Sequence, residues 1–107
     1  IEDCDISANI NPGIAIINNS NPTVRGCKIH ESQSIGILVR SNSSGTIEDC
    51  DIFANHCEVL IEEASHPTIR RCKIHDGKSS GIFFQVKGLG AIEDCDIFAN
   101  AGCGLDI

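Results

Sequence analysis

Hydrophobic and polar residues alternate with a period of two along short stretches of this chain. Residues 4–6 read CDI, and Ile14 and Ile16 flank a small residue in the same way. Alternation of this kind predicts β-strands that bury one face. The segments between these stretches, such as residues 18–21 and 41–45, are rich in Asn, Ser, Pro and Gly, which predicts turns. No window has the helical period, so we expect an all-β chain.

The alternating stretches recur at a nearly constant interval. Aligning the chain on itself gives spacings of 23, 23, 22 and 23 residues between successive units. The units occupy residues 1–23, 24–46, 47–68, 69–91 and 92–107. Short strands joined by turns at this period predict a parallel β-helix of about five coils, with equivalent residues roughly 4.8 Å apart. We expect residues 1–107 to form a single domain of this kind.

The units alternate between two types, so the full period is a pair of coils, about 45 residues long. Odd units read IEDCDI, whereas even units read VRGCKIHE or IRRCKIHD. Stacking is expected to place opposite charges next to each other in two outward columns. The first column is Glu2, Arg25, Glu48, Arg70 and Glu93, and the second is Asp5, Lys28, Asp51, Lys73 and Asp96. We interpret these charges as fixing the register, because skipping one coil would stack like charges on each other.

The strings NPTVRGCKIHES, HPTIRRCKIHDGKSSGIFF and GLGAIEDCDIFAN resemble the right-handed parallel β-helix repeats of the carbohydrate-binding and sugar-hydrolysis type. They are most similar to the β-helix of F-box-only proteins ten and eleven, and the similarity covers essentially the whole chain. This resemblance implies a module that recruits substrates to a ubiquitin ligase, although no F-box is present in this sequence. An inward column that often carries Asn in such repeats carries only Cys here: Cys4, Cys27, Cys50, Cys72 and Cys95.

The composition narrows the classes of partner. The formal net charge is −7 and no continuous basic stripe is present, which argues against nucleic acid. No apolar run approaches the roughly 20 residues of a membrane span, so we expect no membrane partner. The chain stops within a unit, so we expect it to be part of a longer protein whose other segments cover the stack ends. Pairing of those ends with other copies of the chain is an alternative expectation.

The cysteines and histidines predict no metal site and no cofactor. Seven cysteines is an odd number, and the parallel Cβ vectors of the inward column favour reduced thiols over disulfides. Reduced thiols point to a reducing compartment, the cytoplasm or the nucleus. His30 and His75 share a column but stand about 10 Å apart, too far to bind one zinc ion.

Three places in the repeat are candidate functional sites. An outward apolar stripe suited to a protein partner is formed by Leu38, Leu60 and Phe83. An outward ring stripe that could accept sugar faces or partner side chains is formed by His30, Phe53, His75 and Phe98. The third unit lacks one residue in a turn, where the repeat is broken by His56, Cys57 and Glu58. This turn is either a nucleophile with a base, a local ligand site, or a neutral turn change.

Three hypotheses follow for the function. The first is a non-catalytic binding or scaffold module that presents a β-helix face to another protein, as a substrate recruiter would. The second is carbohydrate binding or cleavage by the ring stripe. The third is a structural repeat that stacks on itself. Because basic residues interrupt every acidic column, equivalent acids lie about 10 Å apart and no catalytic constellation is predicted.

Overall fold

The computed structural model describes all residues 1–107 and is a parallel β-helix, as the repeat predicts. It contains no helix with the length and hydrophobicity of a membrane span. Sheet A contains β3 (Thr23–Arg25), β6 (Thr46–Glu48), β9 (Thr68–Arg70) and β12 (Ala91–Glu93). Sheet B contains β1 (Asp5–Ser7), β4 (Lys28–His30), β7 (Asp51–Phe53), β10 (Lys73–His75) and β13 (Asp96–Phe98). Sheet C contains β2 (Ile14–Ile16), β5 (Ile35–Val39), β8 (Cys57–Ile61), β11 (Ile82–Phe84) and β14 (Leu105–Asp106).

The strands pair in the register that the sequence columns predict. Ile52 of β7 pairs with Ile29 of β4 on one side and with Ile74 of β10 on the other. All three side chains are fully buried and belong to one core cluster of 16 aliphatic and cysteine residues. Burial of each large aliphatic side chain contributes roughly 1.5–3 kcal/mol. The inward columns therefore supply the cohesion of the stack.

Buried polar ladders satisfy backbone groups at the turns. The amide of Ser43 donates to Ser65 Oγ at 3.1 Å, and the amide of Ser20 donates to Ser43 Oγ at the same distance. Asn55 accepts from the Ser32 amide at 2.9 Å and donates to the Ile29 carbonyl at 3.0 Å. Each contact joins neighbouring coils, so the turns stack as regularly as the strands do.

The cysteine column lies at the sharp corner between sheets A and B. Residues Asp49 and Arg71, which precede Cys50 and Cys72, have φ of 53° and 51°, so a single left-handed residue turns the chain. The Cys50 thiol donates to the Glu48 carbonyl at 3.2 Å. Each other thiol of the column likewise donates to the carbonyl of the residue two positions before it. A small thiol thus fills the corner and satisfies a carbonyl where other such repeats often place Asn. Cys27, Cys50 and Cys72 are buried, Cys95 is half-buried and Cys4 is exposed.

Both charge columns have the predicted register, but ion pairs between neighbouring coils form only in the first. Arg25 contacts Glu48 at 2.9 Å and Glu2 at 3.2 Å, so the first column contains ion pairs between coils. In the second column the register places Lys28 and Lys73 beside aspartates, but neither lysine forms an ion pair with them. The predicted placement of opposite charges side by side is therefore confirmed for this column, but histidines from the adjacent outward column contact the aspartates instead of the lysines.

Candidate functional site

The ring stripe forms a continuous stack on the outer face of sheet B. The ring centroids of His30 and Phe53 are 4.7 Å apart, those of Phe53 and His75 are 5.2 Å apart, and those of His75 and Phe98 are 4.7 Å apart. The planes are within 11° of parallel throughout. Parallel strands hold equivalent side chains about 4.8 Å apart, so the backbone spacing itself imposes this stacking.

Each imidazole of the stack lies between two carboxylates. His75 Nε2 is 2.7 Å from Asp51 Oδ1, and its Nδ1 is 2.6 Å from Asp76 Oδ2. His30 makes the same pair of contacts with Asp5 and Glu31, at 2.7 and 2.9 Å. A protonated imidazole can donate from both nitrogens at once, so these contacts favour the charged form.

The pKa values of the two histidines result from two opposing effects, burial and the contacts with carboxylates. Partial burial opposes protonation of His75, but the hydrogen bonds to Asp76 and Asp51 outweigh it and raise its pKa above the ordinary value. The pKa of His30 is raised in the same way against its own burial. The charged His75 ring then lies between the faces of Phe53 and Phe98, where the ring quadrupoles attract a cation.

Stacking within the ring stripe covers the ring faces that a bound sugar would have to contact. The faces of Phe53 and His75 are covered by their neighbours on both sides, and their exposed parts are ring edges. Phe98 is the most exposed ring, at 42%. The middle of this stripe can therefore offer polar and aromatic edges to a partner, whereas face-on stacking with a sugar would be confined to the end of the stack.

The apolar stripe is in register on the outer face of sheet C. Leu38 pairs with Leu60, and Leu60 pairs with Phe83, so the three side chains come from successive coils. Leu38 is only 7% exposed, which is more buried than an outward position predicts, whereas Leu60 and Phe83 are half-buried. Ala15 pairs with Leu38 at one end, and Asp106 pairs with Phe83 at the other. The accessible part of the stripe is therefore centred on Leu60 and Phe83.

The broken turn of the third coil does not bring a nucleophile and a base together. His56 is exposed, whereas Cys57 is buried and its thiol donates to the Val59 carbonyl. Burial raises the pKa of Cys57 to about 11, so the thiol is not activated at neutral pH. The interpretation of this turn as a nucleophile with a base is therefore wrong for His56 and Cys57.

Glu58 is instead a buried carboxylate. It is fully buried and accepts hydrogen bonds from the backbone amide of Asn55 at 2.8 Å and from its side-chain amide at 3.4 Å. The carboxyl faces Gly77 of the next coil, where a Cβ would lie 3.1 Å from Oε1. Burial raises the pKa of Glu58 to about 7, although the hydrogen bonds from Asn55 oppose this rise. Gly77 thus provides the space that Glu58 occupies.

Sequence reasoning missed a groove at the corner between sheets A and B. It has a volume of about 360 Å³ and crosses three coils, and its lining includes Lys28, Asp51, Arg71 and Lys73. The sequence analysis interpreted the two lysines as part of a charge column that fixes the register, so they were not considered as binding residues. No group of three or more His, Cys, Asp or Glu side chains is placed to hold a metal ion.

The comparisons with known proteins agree with the architecture. The family model described as a right handed beta helix region matches residues 1–107, the whole of the chain. Searches of curated proteins and of solved structures returned no significant match. The match identifies the kind of solenoid and names neither a partner nor a reaction.

Proposed function

Because the chain belongs to the right-handed β-helix family, we propose that it is a non-catalytic scaffold that presents the outer face of sheet C to a protein partner. The observation that carries this proposal is the apolar stripe of Leu38, Leu60 and Phe83, aligned on successive coils. Apolar side chains in contact on the outside of a sheet are typical of interaction surfaces.

The three residues have different parts in this proposal. Leu38 is buried beneath the surface and supports the stripe, whereas Leu60 and Phe83 reach it and would contact the partner. Large aromatic and aliphatic side chains that lose their remaining exposure on binding dominate the affinity of most interfaces. We therefore assign the partner contact to Leu60 and Phe83.

The scaffold supports binding by its rigidity. β8 is hydrogen-bonded to β5 on one side and to β11 on the other, so the backbone that carries Leu60 is held on both edges. A surface that is ordered before binding loses little conformational entropy when the partner arrives. By resemblance to the F-box-only proteins, such a surface would recruit the substrate of a ubiquitin ligase.

The proposal is tested by comparing two double variants. L60S/F83S removes the accessible part of the stripe, and V86S/L89S makes the same chemical change at residues that are 64% and 67% exposed elsewhere. Leu38 is left unchanged because it is buried. We expect the wild type and V86S/L89S to retain a cellular protein that L60S/F83S does not retain. The purified partner should bind the wild type and V86S/L89S directly and should not bind L60S/F83S.

Other outcomes would reject this assignment. Equal retention by both double variants, with urea unfolding showing that both are folded, would mean that sheet C is not the contact surface. Binding to a glycan array that survives L60S/F83S would support the carbohydrate alternative. Multimers that grow with protein concentration would support the self-stacking alternative.

A further inference from the structure

The larger of two surface depressions lies where sheet A turns into sheet B, away from the apolar stripe. Its volume is about 360 Å³, within the range of roughly 300–1,000 Å³ that small-molecule sites occupy. Gly26 lines it at a corner position that carries Asp49 and Arg71 in the next two coils. Gly26 has no side chain, and the Asp3 carboxylate of the first coil lies in the space where a Cβ would be, so this carboxylate bounds the groove beside Gly26.

The acidic side chains of the groove are already engaged. Asp49 contacts Arg71 Nε at 2.8 Å and Arg71 Nη2 at 3.2 Å. Asp51 Oδ1 contacts His75 Nε2 at 2.7 Å. Each carboxylate that lines the groove is therefore paired with a cation of the protein itself.

The two lysines of the groove have no such partner. Lys28 and Lys73 are exposed, and no carboxylate forms an ion pair with either of them. They belong to coils two apart in the stack, so their backbones are separated by roughly 10 Å, with Asp51 between them. In a chain of net charge −7, this groove has an excess of positive charge.

From this arrangement we propose that the groove binds a small hydroxylated organic anion with one acidic group at each end. Lys28 holds one acidic group, and Lys73 with the neighbouring Arg71 guanidinium holds the other. Asp51 Oδ2 makes no hydrogen bond within the protein and accepts one from a ligand hydroxyl between the two ends. Charge-assisted hydrogen bonds of this kind are the stronger class in proteins.

The ends of the groove limit the length of the ligand. In the equivalent columns, the first coil carries Asp3 and Asp5 and the fifth carries Asp94 and Asp96, all exposed. A long polyanion that followed the stack would meet these carboxylates and be repelled. The site therefore selects a short ligand rather than an acidic polymer.

The test measures binding of a bisphosphorylated hexose to the intact chain by calorimetry at low ionic strength. We expect K28Q/K73Q to weaken binding by at least about tenfold, because it removes the charged partner of each acidic group of the ligand. The matched control K78Q/K87Q removes the same charge from exposed lysines outside the groove and should leave the affinity unchanged. A monophosphorylated hexose should bind more weakly than the bisphosphorylated one.

A second series of ligands tests the spacing of the two acidic groups, and two outcomes would overturn the proposal. Dicarboxylates from succinate to suberate test the spacing, and the longer members should bind better because they span both lysines. An equal loss of affinity in K28Q/K73Q and K78Q/K87Q would show that the anion is attracted non-specifically by positive charge on the chain, and it would overturn the proposal. Failure of the wild type to bind the bisphosphorylated hexose or any dicarboxylate would overturn it as well.

Discussion

His75 Nε2 lies 2.7 Å from Asp51 Oδ1 on the preceding coil, a diagonal contact between two neighbouring strands of sheet B. In the strand register the residue directly opposite Asp51 is Lys73, yet the lysine makes no ion pair with it. The histidine contact therefore has two consequences. It holds the imidazole parallel to the phenyl rings above and below it, and it leaves Lys73 available to the groove.

The first prediction concerns the His75 titration. Replacing Asp51 with Asn removes one of the two carboxylates that favour the imidazolium, so the pKa of His75 should fall. Two-dimensional NMR titration of the ring protons measures this directly. His30 keeps both of its carboxylates, Asp5 and Glu31, and serves as the internal control. An unchanged His75 pKa in D51N would show that the contact has no electrostatic effect.

The same histidines predict the sign of a pH effect on stability. Their pKa values are raised in the folded chain, so the native state holds these protons at pH values where the unfolded chain releases them. Their contribution is fully present below the ordinary pKa of 6.5 and is lost as the pH rises through the folded value. The free energy of unfolding of the D51N variant should therefore depend less on pH in this window than that of the wild type.

The second prediction concerns Glu58. Its folded pKa is raised from 4.5 to about 7, so its contribution to stability is full below 4.5 and is lost as the pH rises through 7. Glu58→Gln mimics the protonated carboxyl and should be more stable than the wild type at alkaline pH, by up to about 3 kcal/mol. Urea unfolding at acidic and alkaline pH measures the difference. A constant difference across the pH range would contradict the buried position of this carboxylate.

The third prediction concerns thiol reactivity. Cys4 and Cys103 are exposed, Cys95 is half-buried, and the remaining four cysteines are buried. Burial also raises the pKa of Cys27 and Cys57, which lowers their thiolate fraction. An aromatic disulfide reagent should therefore modify Cys4 and Cys103 rapidly in the native chain and all thiols only after unfolding. Rapid native modification of Cys27, located by mass spectrometry, would be inconsistent with the inward cysteine column, and rapid modification of Cys57 would be inconsistent with its burial in β8.

The fourth prediction concerns the ion pairs at the carboxyl ends of the sheet A strands. Glu48 contacts Arg25 at 2.9 Å, Arg71 at 3.2 Å and Arg70 at 3.7 Å, and its side chain is only 13% exposed. Glu48→Gln leaves three guanidinium groups close together without their shared carboxylate and should cost about 1–2 kcal/mol, less at high salt. Glu93→Gln is the matched control, because Glu93 is exposed and forms no ion pair. If the two variants have the same free energy of unfolding, the ion pairs of Glu48 do not have the proposed role in fixing the register of the coils.

The fold could be predicted from the sequence because it depends on features that repeat. The inward Ile and Cys columns recur in every coil, and the register of residues such as Ile29 and Ile52 follows directly from the alignment of the units. A residue was placed on the correct face wherever alternation and repeat agreed. The buried Ser43 and Ser65 ladder also recurs in the sequence and could have been recognised from that recurrence.

Side-chain partners could not be predicted in the same way, because they depend on side-chain rotamers and on how deeply each side chain is buried. Asp51 has Lys73 directly opposite and His75 on a diagonal, and the strand register alone does not distinguish the histidine that it contacts from the lysine. Leu38 points outward by alternation, yet it is buried. Glu58 looks like a surface turn residue until Gly77 of the next coil is seen to make room for it. These differences moved the candidate sites without changing the fold.

The central claim, that the outer face of sheet C binds a protein, is tested most directly by photo-crosslinking from position 60. A photoreactive residue replaces Leu60 in one variant and the exposed Leu89 in the control. We predict that position 60 captures a specific protein, that position 89 does not, and that unlabelled wild-type chain suppresses the capture while L60S/F83S does not. The same set of captured proteins at both positions, or no capture at position 60, would contradict the claim.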